Sequence, residues 1–280
     1  MSKSYQDIIS IIKGDIDNLE RAIVEGVMFP TEALNNLLLA PAKRIRPVLA
    51  FLFLKSYGHN ITEEQLQIQV AVELAHTASL IHDDIVDFSN NRRGLQTLNT
   101  QYSDKVAVLT GDYILSVALK KLVSINDSMI LNDFLNTFSQ MASGEISQYF
   151  TKHSIPSLED YINKTIKKTA GLFEISLKSA SRLAQENINL WADFAINFGI
   201  AFQIKNDLKD VLTDNNDIKN GIYTAPVIFS NSTSITQDAI EKTKQLAIDY
   251  LINAQNILKI LPQNDYSKAL KEILELYKND

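Results

Sequence analysis

Apolar positions recur along this chain at helical rather than strand spacing. From Tyr5 to Val27, residues Ile8, Ile9, Ile11, Ile12, Ile16, Leu19, Ile23 and Val24 fall on one stripe, the mark of an amphipathic helix. Pro30 suits the opening of a short second helix that ends before Pro41. Two segments, Val48–Leu54 and Val70–Ile81, are so uniformly apolar that they predict helices buried nearly all round, with Glu73 the only charge in the second. Helical patterns continue over Val106–Leu122, Leu131–Phe150, Tyr161–Arg182, Ile188–Gln203, Ile235–Ile260 and Tyr266–Tyr277. Polar, turn-rich stretches at Ser89–Asp104 and Asp214–Gly221 separate some of them. Alternating β-branched runs bounded by Asn-Gly or Asp-Gly are nearly absent, so the expected class is all-α, with a bundle core.

Candidate chemistry starts where the most apolar helix ends, in His82-Asp83-Asp84-Ile85-Val86-Asp87. At about 3.6 residues per turn, Asp83 and Asp87 share a face with Asp84 beside them. Carboxylates this close repel, and protonation or a hard cation relieves the repulsion. Mg²⁺ is the usual cation when its other ligands are water and phosphate oxygens. A solvated helix end or N-cap cluster would look the same in isolation. The context adds Arg92-Arg93-Gly94 and a second cluster, Asn206-Asp207-Leu208-Lys209-Asp210, which could clamp metal from an opposite wall. Lys43, Arg44 and Arg46 stand at the start of a buried helix, where the dipole repels cations; they form either a solvated basic turn or an anion-holding one. Lys167-Lys168-Thr169 fits a solvated helix face or a site, His76 fits a satisfied core histidine, and Trp191 reads as core. Gly144-Glu145 lies inside a helical pattern, where glycine often marks close packing or function.

Composition narrows the options. The chain has 280 residues, few Gly and Pro, and neither a linker-like tract nor a repeat, so a single domain spanning residues 1–280 is expected. No stretch reaches the apolar length of a membrane span, and the N-terminus lacks a signal peptide's apolar core. Zero Cys removes disulfides, thiolate catalysis and Cys-ligated zinc, and fits a cytoplasmic location. A net charge of −6 argues against nucleic acid and requires that any anionic substrate be held by a local basic cluster.

Taken in order, KRIRP, HTASLIHDDIVD, RRG, GEISQ, KKTAGLF and FQIKNDLKD resemble the motif series of the trans-isoprenyl diphosphate synthases, also called polyprenyl synthetases, from about Lys43 to Pro226. GEISQ and KKTAGLF are more similar to the medium- and long-chain branch. The resemblance implies an isoprenoid synthase-type helical bundle around a deep central cavity. It also implies a homodimer, with a heteromer as the alternative, and head-to-tail condensation of isopentenyl diphosphate onto an allylic diphosphate. By position, Asp83 and Asp87 would ligate Mg²⁺ on the allylic diphosphate, with Asp84 in support and Arg92 and Lys168 on the same diphosphate. Lys43, Arg46, His76 and Arg93 would hold isopentenyl diphosphate, while Thr169 and Gln203 would line the space where the substrates meet. Asn206, Asp207 and Asp210 would form the second metal wall.

Three departures from the family pattern stand out: Asn206 in place of Asp, Ala42 in place of Gly, and a short loop Thr213–Tyr223 in which Lys219 would stand in for a usual lysine. The altered second motif leaves a peptide-modifying isoprenyl transferase or a noncatalytic subunit of a heteromeric synthase as other readings, whereas a terpene cyclase would have no use for Lys43, Arg46 and Arg93. Along the helix behind Asp83, Val72, Ala75, Ala78 and Ser79 are small or modest. They leave room for a product longer than C20, in the C30 to C40 range, unless a large residue such as Phe134 blocks the channel.

Overall fold

The computed structural model describes residues 4–27, 42–92 and 94–279; the short helix expected between Pro30 and Pro41 and the candidate ligand Arg93 lie outside them. The fold is all-α, as the apolar spacing predicts. The chain divides into two compact units, one formed by Ile9–Asn132 and the other by Asp133 onward with the N-terminal residues up to Ile8.

The predicted N-terminal helix is broken into α1 (Tyr5–Ile9, grouped up to Ile8 with the other unit), a tight 3₁₀ turn (Ser10–Ile12) and α2 (Lys13–Gly26), the last two in the first unit. Ile12, Leu19 and Ile23 point inward, whereas Ile11 is exposed. α3 (Ile45–Ser56) is buried along nearly its whole length, and so is the middle of α4 (Glu63–Val86). Thr62 caps α4, its Oγ1 accepting the Gln65 amide at 3.2 Å. The polar stretch after α4 is more structured than its composition suggests. A two-residue ribbon, β1 (Asn91–Arg92) with β2 (Leu95–Gln96), turns at Gly94 with φ +80°, and a short α5 (Leu98–Gln101) follows. α6 (Asp104–Ile125) packs along α4. Gly111 allows this approach, because a Cβ there would lie 2.2 Å from the His82 ring.

α7 (Ser128–Phe150) begins on the Asp127 carboxylate, which accepts the Met129 and Ile130 amides at 2.9 and 3.1 Å, and it carries the chain into the second unit. The single helix predicted over Tyr161–Arg182 is instead α8 (Leu158–Thr165), a π turn (Ile166–Ala170) and α9 (Gly171–Leu183). α10 runs Ile188–Leu212, so the second acidic cluster lies on the helix rather than beyond its end. The loop after it contains one short helix, α11 (Asn216–Lys219), and α12 (Ala225–Ser230), α13 (Gln237–Ile257) and α14 (Asp265–Asn279) complete the unit. Rings of Phe173, Phe198 and Tyr277 pack edge to face at centroid distances of 5.4 and 5.3 Å, with Trp191 fully buried nearby as core.

The π turn sits where α10 crosses most closely: a Cβ on Gly199 would lie 2.7 Å from the Ala170 Cα. Backbone cannot yield there as a flexible side chain would. Gly199→Val is therefore expected to lower unfolding free energy by roughly 2–3 kcal/mol. Gly14→Ala, whose Cβ meets nothing within 4 Å, should raise it by up to about 1 kcal/mol through helix propensity. Denaturant midpoints at equal m-value check both.

Candidate active site

Asp83 and Asp87 occupy the last turn and C-cap of α4, with the Asp87 amide donating to the Asp83 carbonyl at 2.8 Å. Both are half-buried, whereas Asp84 is buried and faces protein. Arg92 takes up Asp84: its Nε and Nη2 lie 2.8 and 2.7 Å from Oδ1. The Asp84 carbonyl also receives the Ser89 amide at 2.9 Å. Asp84 thus anchors the turn after the helix, whereas Asp83 and Asp87 are the less buried members of the motif. Among the described residues no three His, Cys, Asp or Glu side chains converge as a metal cage. A divalent ion here must complete its shell with water and ligand oxygens, which fits a hard octahedral cation such as Mg²⁺.

The basic turn resolves into three different environments. Lys43 is exposed, Arg46 is buried at the start of α3, and His76 is half-buried on α4. Arg44 is not available to a ligand: its Nε and Nη2 grip Glu20 at 2.8 and 3.0 Å, and its Nη1 reaches Glu73 at 3.0 Å. Burial would depress its pKa, but the two carboxylates outweigh that and hold it above its ordinary value. The lone charge in the apolar run of α4 is therefore one arm of a buried ion triad. Ala42 is absent from the positive-φ residues; the left-handed residue in this turn is Arg44, at φ +48°. The replacement of Gly by Ala accordingly introduces no backbone strain.

In the other unit, side chains from α8, the π turn and α10 form one hydrogen-bonded chain. The Thr169 hydroxyl donates to Gln203 Oε1 at 2.8 Å, Gln203 Nε2 donates to Asp207 Oδ1 at 2.7 Å, and the Tyr161 hydroxyl donates to Asp207 Oδ2 at 2.6 Å. Burial raises the Asp207 pKa, opposed by these two donors and by Lys164 and Lys168. Tyr161 is pushed well above its ordinary range by burial and by Asp207. Lys168 is paired with Glu145 of the GEISQ segment. Close packing does not explain Gly144, whose Cβ would meet Lys167 at an ordinary 3.7 Å. The π turn inserts an extra residue into the helical register at Lys167-Lys168-Thr169, a feature often found at functional sites.

Asp210 accepts the Asn216 and Asp217 amides at 3.2 and 3.0 Å, folding the short loop back onto α10. Asn206 is exposed, and Lys219 is an exposed residue whose Nζ donates to the Asp214 carbonyl at 2.7 Å. Sequence reasoning missed three participants: Tyr161, Lys164 and Asp217. Burial, then Asp207 and Asp210, pushes the Asp217 carboxyl up to about 7. Lys164, depressed mainly by burial, lies 5.9 Å from the Tyr161 ring centre and one turn before Lys168. It helps line a cavity of about 760 Å³ with Gln148, Tyr161, Lys167 and Tyr223. The available signal was spacing, since Tyr161, Lys164 and Lys168 repeat at helical intervals.

The polyprenyl synthetase family model matches residues 29–254. The chain belongs to this family. A decaprenyl-diphosphate synthase of Dictyostelium discoideum is 32% identical over 80% of the chain and 56% of its own length. An all-trans-nonaprenyl-diphosphate synthase (geranyl-diphosphate specific) of Rhodobacter capsulatus is 29% identical over 97% of the chain and 96% of its own length. Among solved structures, a polyprenyl synthase from Caulobacter crescentus, complexed with calcium and isoprenyl diphosphate, superposes with a TM-score of 0.89 at 24% identity, covering 100% of this chain and 99% of that one. That likeness establishes the polyprenyl synthetase fold for this chain.

For Asp217 the sign of the pH effect is fixed by the raised pKa. The metal-free folded protein holds this proton more tightly than the unfolded chain, so the stabilisation is full below the ordinary carboxylate range and is lost as pH rises to about 7. Between about pH 5 and 8, the melting temperature of chelator-treated protein should fall more steeply with pH than that of Asp217→Asn. Parallel profiles would remove Asp217 from the cluster.

Proposed function

We infer that this chain is a trans-polyprenyl diphosphate synthase that extends an allylic diphosphate with isopentenyl diphosphate to a product longer than C20. The observation that carries this reading is the family match across residues 29–254, with Asp83 and Asp87 one turn apart at the end of a buried helix. Long-chain relatives support the chain-length class, and nothing favours the peptide-modifying transferase. We propose that the chain works as one synthetase domain, as a cytoplasmic homodimer. Exposed apolar residues such as Leu109 and Val123 on α6 are consistent with a covered face. Among the described residues no helix is long and apolar enough to cross a membrane.

In this proposal Asp83 and Asp87 hold Mg²⁺ against the allylic diphosphate, and Asn206, Asp207 and Asp210 contribute to the second acidic cluster. The metal would supply neutralisation of the charge that develops on departing pyrophosphate. Arg92, tethered to Asp84, and Lys168, tethered to Glu145, add positive charge in orientations fixed before the substrate arrives. Lys43, Arg46, His76 and Arg93 orient the second substrate, and Lys219 is assigned to the diphosphate side. As the allylic C–O bond breaks, its electron pair leaves with pyrophosphate. The alkene of isopentenyl diphosphate attacks the resulting cation, and loss of a proton restores the double bond. No side-chain nucleophile is needed. Thr169 and Gln203 lock each other, so both can line the reacting space without moving.

Incubating purified protein with labelled isopentenyl diphosphate, Mg²⁺ and each allylic starter, then sizing the products, tests the function directly. Asp83→Ala or Asp87→Ala should lower kcat by on the order of a hundred- to a thousandfold or more while leaving the fold intact. Near-wild-type turnover at saturating Mg²⁺ would remove the metal assignment.

Chain length has its own test. Val72, Ala75 and Ala78 are fully or almost fully buried, and Ser79 is half-buried with its Oγ on the His76 carbonyl at 2.8 Å. We propose that these small side chains leave depth for a C30 to C40 tail. Phe134, stacked on Phe138 at 5.2 Å in the other unit, is itself buried in protein. Ala78→Phe or Ser79→Phe is expected to shift the products shorter, since a ring in a close-packed wall must displace something. An unshifted distribution, or a wild type that stops at C15, would sink the channel assignment.

A further inference from the structure

The KRIRP turn contains a residue that nothing above uses for chemistry. Arg44 lies between two proposed ligands, Lys43 and Arg46, yet its side chain is 7% exposed and turned inward. Its backbone is left-handed, φ +48° and ψ 38°, a conformation strained for a residue with a Cβ. All three nitrogens of its guanidinium are engaged: a fork on both oxygens of Glu20, from α2, and a third bond to Glu73, from α4. Its carbonyl accepts the Val48 amide at 3.0 Å and so starts α3.

We propose that Arg44 is a positioning residue that fixes the Lys43–Arg46 turn against the helix bearing His76, and thereby sets the affinity for isopentenyl diphosphate. Glu73 stands one turn before His76 on α4, in the fully buried stretch that cannot shift without repacking. One planar cation therefore links the basic turn to the helix that carries the third diphosphate ligand. A bidentate fork fixes orientation as well as distance. A buried ion pair adds little net stability after desolvation, so what this triad contributes is geometry. The left-handed φ has the same consequence. It sends the Arg44 side chain inward while its neighbour Lys43 stays exposed.

This proposal rests on the reading of Lys43, Arg46 and His76 as ligands of that diphosphate, and the experiment separates the two. Steady-state kinetics of the full chain are measured with each substrate varied at saturating levels of the other, for Lys43→Met, Glu20→Gln, Arg44→Lys and Arg44→Met. Lys43→Met should raise KM for isopentenyl diphosphate about tenfold or more. Glu20→Gln should raise the same KM roughly three- to tenfold, leaving kcat and the allylic KM within about twofold and the melting temperature within a few degrees. Arg44→Met should exceed Glu20→Gln, and Arg44→Lys should recover part of the loss. If Arg44→Met does not fold, Glu20→Gln decides, because the Glu20 side chain is 39% exposed and its neutralisation leaves the Arg44–Glu73 bond in place. An unchanged isopentenyl diphosphate KM in Glu20→Gln beside a raised one in Lys43→Met overturns the positioning role alone. So does a loss of kcat or stability without that KM change. An unchanged KM in Lys43→Met overturns the ligand reading beneath it.

Discussion

Charge taken out of water must be matched, and that constraint organises both units of this chain. Four of the buried or half-buried acids have donors within their own unit: Glu73 has Arg44, Asp84 has Arg92, Glu145 has Lys168, and Asp207 has Tyr161 and Gln203. The apolar helices can then run uninterrupted to the point where chemistry is needed. A carboxylate left without such partners inside the protein would take up a proton instead, and Asp217 shows the tendency, its pKa pushed up to about 7 by burial and by its neighbours Asp207 and Asp210. Within each unit, then, the most buried acids are matched by protein donors, while Asp83 and Asp87 are only half-buried.

Periodicity made most of the helices legible, because burying one face imposes a repeat that residue types must follow. It failed where the backbone departs from that repeat. The 3₁₀ turn at Ser10–Ile12 and the π turn at Ile166–Ala170 contain neither Gly nor Pro, so no helix-breaking residue marks them. The π turn lies where Gly199 passes close to Ala170, and such a tertiary contact is invisible to a local pattern. The apolar pattern that predicts a helix over Ile188–Gln203 stops short of the observed end at Leu212 for a related reason: Asn206, Lys209 and Asp210 are polar, but their helix continues through the buried Asp207 and Leu208.

Within the site, residue types and order identified the acidic and basic motifs, but not which member of each motif faces protein. Arg44 reads in sequence as one of three cations that could hold an anion and is a structural partner in the fold, while Asp84, expected in support of Asp83 and Asp87, is bonded to Arg92. Tyr161 reads as an ordinary apolar position until its hydroxyl is seen on Asp207. Asp217 lay in a stretch whose composition says only loop, and its importance comes from Asp210 accepting its amide and drawing the loop back. In each case the missing information was a pairing between distant segments, which one sequence does not contain.

The departures in the second motif can be weighed on the same footing. Replacing a carboxylate by Asn206 removes one negative charge from a cluster that already holds Asp207, Asp210 and Asp217. In a half-buried group of like charges, one fewer acid lowers the cost of keeping the others ionised. The loop after α10 works the other way, since the Asp217 amide donates to Asp210 and keeps a further acid in the neighbourhood. Asp217 does not restore a full charge, because burial and its acidic neighbours push its carboxyl up to about 7. Lys164 belongs to the same balance. Its ammonium is drawn toward Asp207 and Asp217 while burial and Lys168 work against its charge. The hydrogen bonds from Tyr161 and Gln203 to Asp207 hold this cluster's side chains in fixed orientations, which is the kind of preorganised environment that can stabilise developing charge.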